Sequence, residues 1–129
     1  MHVLSSRVLV RPRDLEALTA FYADVLGLAI YRTFPGGTVF FLGQGFLEVS
    51  GRGEPGRTGN LELWLQVPDL PSTLDELAAK GVTPDRDARR EPWGLDEAWI
   101  SDPDGTRIVL VEIPADHPLR TDMRAASLS

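Results

Sequence analysis

The sequence predicts an α+β fold made of two tandem βαβββ modules, and two observations support this prediction. First, a strand, an amphipathic helix and three further strands follow one another in residues 5–52, and the same order returns in residues 60–113. Second, each helix opens on an Asp-Leu pair, at Asp14 and at Asp69, 55 positions apart. That separation exceeds the period of simple solenoid repeats, so we expect one domain, 1–129, made of two modules.

The first module begins with residues 7–11, which alternate polar and apolar side chains as a half-buried strand does. Asp14 is a favourable N-cap for a helix over 15–26, whose apolar side chains recur at helical spacing until Gly27. Three strands separated by glycine turns are then predicted, at 29–33, 39–42 and 46–50.

The second module follows a linker, 51–59, that is rich in glycine, proline and charge. Asp69 caps the second predicted helix, which ends at Gly81. The charged run 85–91 is predicted to be a solvated loop or a sheet edge. Residues 114–129 are predicted to form a partly disordered tail. Strands are predicted at 61–67, near 82–83, at 97–100 and at 106–113, with a hairpin turn at 102–105.

Composition and charge exclude several classes of function. The chain has 13 Lys and Arg against 19 Asp and Glu, a net charge of -6, whereas nucleic-acid binding depends on basic residues. It has no cysteine, which excludes disulfides, thiolate metal sites and a cysteine nucleophile. No apolar stretch approaches the length of a membrane span or a signal peptide. We therefore expect a cytoplasmic protein that binds neither nucleic acid nor membranes.

Two motifs carry a family resemblance, FYADVLGL at 21–28 and DPDGTRI at 102–108. With the duplicated module they make the chain up to Pro114 resemble the vicinal oxygen chelate superfamily, which includes glyoxalase I, extradiol dioxygenases and bleomycin resistance proteins. The resemblance implies curved mixed sheets around a cup, the glyoxalase/bleomycin resistance/dioxygenase fold, and a homodimer. Because members include lyases, oxygenases and drug-binding proteins, the function must be argued from the site.

The resemblance also implies where metal ligands would project into the cup, namely at Arg7, Glu48, Glu62 and Val109. Metal-dependent members carry His or Gln, Glu, His and Glu there, so only Glu48 matches. A guanidinium has no lone pair for a metal and repels a dication. We therefore predict no metal and no cofactor; the alternative is a divalent ion such as Fe, Mn, Ni or Zn.

The charged residues of this set allow three interpretations. Arg7, Glu48 and Glu62 form a buried ion-pair cluster that only ties the fold together, or the two carboxylates meet donors of a ligand. In the third interpretation Glu48 or Glu62 is a catalytic general base, with a pKa raised by burial beside the other carboxylate. Arg7 opposes that shift, which places the third interpretation last.

Aromatic side chains supply a second set of candidate ligand contacts. Trp64 shares the parity of Glu62 and should face the cup. Each aromatic residue has core packing as its alternative role, but flat apolar walls with a few polar groups are typical of small-molecule pockets. The further candidates are Phe41, Trp93 and Trp99.

The sequence thus favours a metal-free small-molecule-binding protein of the bleomycin-resistance kind, as in antibiotic resistance, that sequesters an aromatic or cationic compound. The alternative is an enzyme: a metal-dependent lyase, isomerase or oxygenase, or an acid-base catalyst that uses Glu48 or Glu62.

Overall fold

The computed structural model describes residues 1–53 and 61–117. They divide into two compact units, the first containing residues 1–53 and the turn 102–105, the second containing residues 61–101 and 106–117. The linker prediction for 54–59 and the tail prediction for 118–129 lie outside the described residues. No helix among the described residues is long and apolar enough to cross a membrane.

The first unit holds a four-stranded mixed sheet and one helical segment. The sheet order is β1-β4-β3-β2, with β1 parallel to β4 and the other neighbours antiparallel. The elements are β1 (Val8–Val10), α1 (Leu15–Ala20), a π-helical turn (Phe21–Val25), β2 (Ile30–Phe34), β3 (Gly37–Leu42) and β4 (Gly45–Ser50).

The predicted helix over 15–26 is α-helical only in its first half. Asp14 caps it as expected, because its Oδ1 accepts the Ala17 N–H at 3.0 Å. The chain then widens into the π-helical turn, where the Leu26 N–H bonds the Phe21 carbonyl at 3.0 Å. A π-helical turn holds one more residue than an α-helical turn, a difference that apolar spacing does not reveal.

The core of the first unit lies between α1 and one face of the sheet. Leu18 and Tyr22 are buried there, and the Tyr22 and Phe40 rings lie 6.3 Å apart. In β4, Leu47 and Val49 are buried on this side, so the intervening Glu48 points to the opposite side. That opposite side, which carries no helix of its own unit, is called the helix-free face below.

The hairpin turn 102–105 belongs to the first unit and is tied to it by Tyr22. The Tyr22 hydroxyl donates a buried hydrogen bond of 2.8 Å to Asp102 Oδ2. Burial, followed by the negative charge and the hydrogen bond of Asp102, raises the pKa of Tyr22 far above its usual value. The phenol therefore stays protonated and remains a donor.

The second unit repeats the arrangement, with sheet order β5-β8-β7-β6 and β5 parallel to β8. Asp69 caps its helix, accepting the Ser72 N–H at 2.9 Å. The two modules and the α+β class are confirmed. The elements are β5 (Leu63–Gln66), α2 (Leu70–Ala79), β6 (Arg86–Arg90), β7 (Asp96–Ser101) and β8 (Arg107–Glu112).

The strand predicted near 82–83 was wrong. Val82 donates its N–H to the Leu77 carbonyl at 2.9 Å and so closes the end of α2. The strand is instead β6, inside the charged run, where it forms the sheet edge that was one of the two predictions for that run. Charged side chains suit an edge strand because their ends reach solvent.

Replacing Tyr22 by Phe removes a buried donor of Asp102, and we expect unfolding in urea to require about 1–3 kcal/mol less free energy. Tyr31→Phe is the matched control, since Tyr31 is half-exposed and a surface change costs within about 0.5 kcal/mol. Equal stability of the two variants would contradict the role of the Tyr22–Asp102 bond.

Candidate ligand-binding site

Strand β4 brings the first group of predicted site residues together on the helix-free face. Glu48 is paired with Leu9 of β1 and Val39 of β3, and Phe46 is paired with Phe41. Arg7 precedes β1 and shares the parity of Leu9. Arg7, Phe41 and Glu48 therefore share one face of the first sheet.

The Glu48 carboxylate is held by three side chains. Arg7 Nη1 donates to Oε1 at 2.9 Å, and the Ser50 hydroxyl donates to Oε2 at 2.7 Å. Arg11 Nη1 lies 3.7 Å from Oε2 and donates to Ser50 Oγ at 2.5 Å. The side chain of Glu48 is 15% exposed and that of Arg7 is 40% exposed. The pair is a partly solvated ion pair, less buried than the sequence analysis expected.

The electrostatics of Glu48 do not suit a general base. The hydrogen bond from Ser50, followed by the one from Arg7, lowers the pKa of the carboxyl below its usual value, although partial burial opposes the shift. A general base at neutral pH needs a raised carboxyl pKa. The raised pKa that the third interpretation requires is therefore not found at Glu48, since its hydrogen bonds outweigh its desolvation.

Three aromatic rings lie beside this ion pair and are called the aromatic cluster: Tyr31, Phe41 and Phe46. The ring centroid of Tyr31 lies 5.2 Å from that of Phe41 and 4.8 Å from that of Phe46. Tyr31 is 50% and Phe41 is 42% exposed. The Arg7 guanidinium lies 6.0 Å from the Phe46 centroid. The cluster is therefore an accessible apolar surface with a cation at its rim.

Two members of the aromatic cluster, Tyr31 and Phe46, were not among the candidates predicted from the sequence. Phe46 shares the parity of Glu48 in β4, a signal that was present in the sequence. Tyr31 follows Ile30, which pairs with the buried Phe40, so alternation places Tyr31 on the helix-free face; the pairing of β2 becomes irregular between Ile30 and Arg32.

In the second unit, β8 places Val109 between Trp64 of β5 and Trp99 of β7. Trp64 follows Leu9 by the same 55 positions that separate the helix caps, and Leu9 pairs with Glu48. Val109 thus occupies the pairing position that Glu48 has in the first unit. It is buried against Leu95 and Trp99, so an apolar side chain fills the place of a fourth ligand.

Glu62 and Trp99 are engaged by arginines of their own unit. Arg107 Nη1 donates to Glu62 Oε1 at 3.1 Å, with both side chains nearly half-exposed. The guanidinium carbons of Arg86 and Arg107 lie 4.1 and 4.0 Å from the Trp99 ring centroid. Trp99 is therefore already stacked against two cations, which leaves less of its ring for a ligand.

Trp93 is a half-exposed side chain oriented by a buried carboxylate. Its indole Nε1 donates to Glu97 Oε2 at 2.7 Å.

In the same unit, the carboxylate of buried Glu91 is paired with Arg86 and Arg89. Burial raises the pKa of Glu91, but the hydrogen bonds from Arg89 and Arg86 outweigh it, so the net shift is downward. Glu91 and its two arginine partners were not predicted as a buried group, because the charged run in which they lie resembles a solvated surface.

Trp64 is half-exposed on the helix-free face of the second sheet, as its parity predicted.

A separate depression of about 200 Å³ lies on the helix side of the second sheet, where Glu112 Oε1 accepts the Leu70 N–H at 2.6 Å. It contains none of the predicted site residues. Its lining consists of Leu70, Pro71, Ala88, Arg89, Arg90, Asp96 and Glu112.

The donor set does not fit a divalent metal. Arg7 has no lone pair, Val109 has no donor atom, and Glu48 and Glu62 are each paired with arginine. In the described ranges 1–53 and 61–117, His, Asp and Glu do not form a group of three that could hold an ion. We derive no metal-dependent step for this site.

The sequence model of the Glyoxalase/Bleomycin resistance protein/Dioxygenase superfamily matches residues 4–110. The chain belongs to this superfamily. The match confirms the resemblance read from the FYADVLGL and DPDGTRI motifs. Among curated proteins, none matches the sequence.

Solved structures of other superfamily proteins share the fold. A superfamily member from Sphaerobacter thermophilus is 26% identical, with a TM-score of 0.64 over 87% of this chain and 97% of its own. Lactoylglutathione lyase from Agrobacterium tumefaciens is 21% identical, with a TM-score of 0.68 over 82% and 90%. A glyoxalase-related enzyme from Fulvimarina pelagi is 21% identical, with a TM-score of 0.71 over 89% and 91%. At such identities the likeness to the last two shows the fold alone.

Because the pKa of Glu48 is lower in the folded chain, its ionised form stabilises the fold. That contribution is complete above the ordinary carboxyl pKa of 4.5 and is lost as the pH falls through the lowered folded value. We expect Glu48→Gln to be less stable than the parent protein at pH 7, and the difference to shrink in acid.

Chemical denaturation from pH 7 down to pH 3 measures this difference. Glu16→Gln, which changes an exposed helical carboxylate of the same unit, controls for the general loss of one charge. A destabilisation by Glu48→Gln that stays constant over the whole range would contradict the argument.

Proposed function

We propose that this superfamily member is a metal-free small-molecule-binding protein that holds a planar aromatic ligand on the helix-free face of its first sheet. The observation that carries the proposal is the half-exposed aromatic cluster beside the fixed Arg7–Glu48 pair. Accessible aromatic surface next to a few oriented polar groups is typical of ligand sites.

The aromatic cluster has the properties of a stacking surface. The rings of Tyr31 and Phe41 lie edge-to-face at 80°, and Phe46 lies obliquely against both, so the rings fix one another. Rigid rings lose little conformational entropy when a ligand packs against them. A flat ligand would remove apolar area of Tyr31 and Phe41 from water at about 25 cal/mol per Å².

The same residues favour binding over turnover. Glu48 has a lowered pKa, and the guanidinium groups of Arg7 and Arg11 offer hydrogen-bond donors only, so the paired residues on this face suit recognition better than proton transfer. The donor set at the family's metal positions does not fit an ion. Sequestration of the bleomycin-resistance kind is therefore a better match to the residues present than lyase, isomerase or oxygenase chemistry.

The homodimer and the cytoplasmic location expected from the sequence and its family resemblance stay predictions. Antibiotic resistance likewise stays a prediction, because it depends on which compound the aromatic cluster accepts.

Calorimetric titration with a neutral planar probe, 2-naphthylmethanol, tests the proposed site. We expect Tyr31→Ala and Phe41→Ala each to weaken binding roughly tenfold, through loss of ring contact and buried area. Leu61→Ala, which removes an exposed apolar side chain of the second unit, is the control and should leave affinity unchanged. If 2-naphthylmethanol quenches tryptophan emission and its affinity is unchanged in both Tyr31→Ala and Phe41→Ala, the ligand binds elsewhere and the proposal is contradicted.

Metal uptake tests the other half of the proposal. We expect protein incubated anaerobically with manganese, iron, nickel or zinc, then desalted, to retain far less than one ion per subunit. Glu48→Gln and Glu62→Gln are the matched controls for uptake at the family's ligand positions. Near-stoichiometric uptake that either variant abolishes would contradict a metal-free function.

A further inference from the structure

The ion-paired set of Arg7, Arg11 and Glu48 carries a net positive charge, although the chain as a whole carries -6. Two guanidinium groups, Arg7 and Arg11, lie against the single carboxylate of Glu48, at 2.9 and 3.7 Å. Their sum is one net positive charge. Because the pKa of Glu48 is lowered, this sum persists from neutral pH down into mildly acidic solution. Charges farther away than about 8–10 Å are largely screened at physiological salt.

Arg7 provides hydrogen-bond donors on this face. A guanidinium has five N–H donors, and Arg7 uses one of them on Glu48. Both oxygens of Glu48 already accept a hydrogen bond, one from Arg7 and one from Ser50. Within residues 1–53 and 61–117, a ligand therefore meets further N–H groups of Arg7 beside a carboxylate that already accepts one hydrogen bond on each oxygen. Such a surface complements an acceptor with negative charge.

The position of Arg7 joins this charge to the aromatic surface. Its guanidinium lies 6.0 Å from the Phe46 centroid, and Phe46 lies 4.8 Å from Tyr31. Arg7 is also held in place by its hydrogen bond to Glu48, which reduces the entropy lost when a ligand binds. The cation thus stands at the edge of the aromatic cluster, where a substituent of a stacked ring would project.

We propose that this site selects planar aromatic anions, with aryl carboxylates as the representative class, and that Arg7 is the residue that determines the charge preference. The inference rests on the proposed function, since it concerns the same face. It retains the aromatic ligand expected from the sequence and replaces the cationic alternative named there. The guanidinium stands where metal-dependent relatives place a ligand to the ion, and here it supplies the positive charge itself.

Three probes that share one ring system test the charge preference: 2-naphthoate, 2-naphthamide and 2-naphthylmethylammonium. Calorimetric titrations at pH 7 should show 2-naphthoate binding at least about tenfold more tightly than the amide, the effect of roughly one charge-assisted hydrogen bond. The ammonium probe should bind most weakly. Raising the salt concentration should reduce the advantage of 2-naphthoate.

Arg7→Gln should remove the difference in affinity between 2-naphthoate and 2-naphthamide, while 2-naphthamide should still bind. Arg52→Gln is the matched control, because it removes the same charge from an exposed position in the first unit and should preserve the preference. Circular dichroism of both variants verifies that they are folded.

Each outcome bears on one of the two proposals. Equal affinity for the three probes, or a 2-naphthoate preference that survives Arg7→Gln, would overturn the charge inference and leave the aromatic site in place. Tightest binding of the ammonium probe, lost in Glu48→Gln, would also overturn it. If no probe binds, the aromatic site itself is wrong and the charge inference falls with it.

Discussion

The alternation of β4 is the constraint on which the rest of the first unit depends. Leu47 and Val49 face α1 and are buried, so Phe46 and Glu48 must face the other way. The partners of β4 then decide what surrounds them: β1 brings Arg7 through its parallel register, and β3 brings Phe41. A shift of one residue would bury Glu48 and expose the core, so the site is as firmly specified as the packing behind it.

Regular periodicities account for most of what the sequence predicts correctly. The duplicated order of elements, the two Asp caps and the side of the sheet that Glu48 and Trp64 face all follow from helical or alternating spacing. The failures occur where the backbone leaves that spacing: the π-helical turn after Ala20, the irregular pairing of β2 between Ile30 and Arg32, and the closure of α2 by Val82. Composition misleads in one further place, since Glu91 of the charged run 85–91 is buried and Arg86 is partly buried.

The proposed function depends on which residues stand at the positions where the family resemblance implies metal ligands. Arginine and valine, which offer no donor atom to a metal, stand at two of these four positions, and the first sheet carries a carboxylate paired with a guanidinium. Ion pairing reduces the conformational entropy of each charged side chain, and partial exposure to solvent limits the stabilisation that such pairs provide. Their role is therefore better sought in what they present to a ligand than in the stability of the fold.

The aromatic residues are also divided between the units in a useful way. Both tyrosines, Tyr22 and Tyr31, lie in the first unit, whereas the three tryptophans lie in the second. Trp99 is covered by two guanidinium groups, while Trp64 and Trp93 meet solvent. Tyrosine and tryptophan fluorescence thus form two built-in optical labels, one for each half of the duplicated chain, with which the loss of structure in either half can be followed without adding a dye.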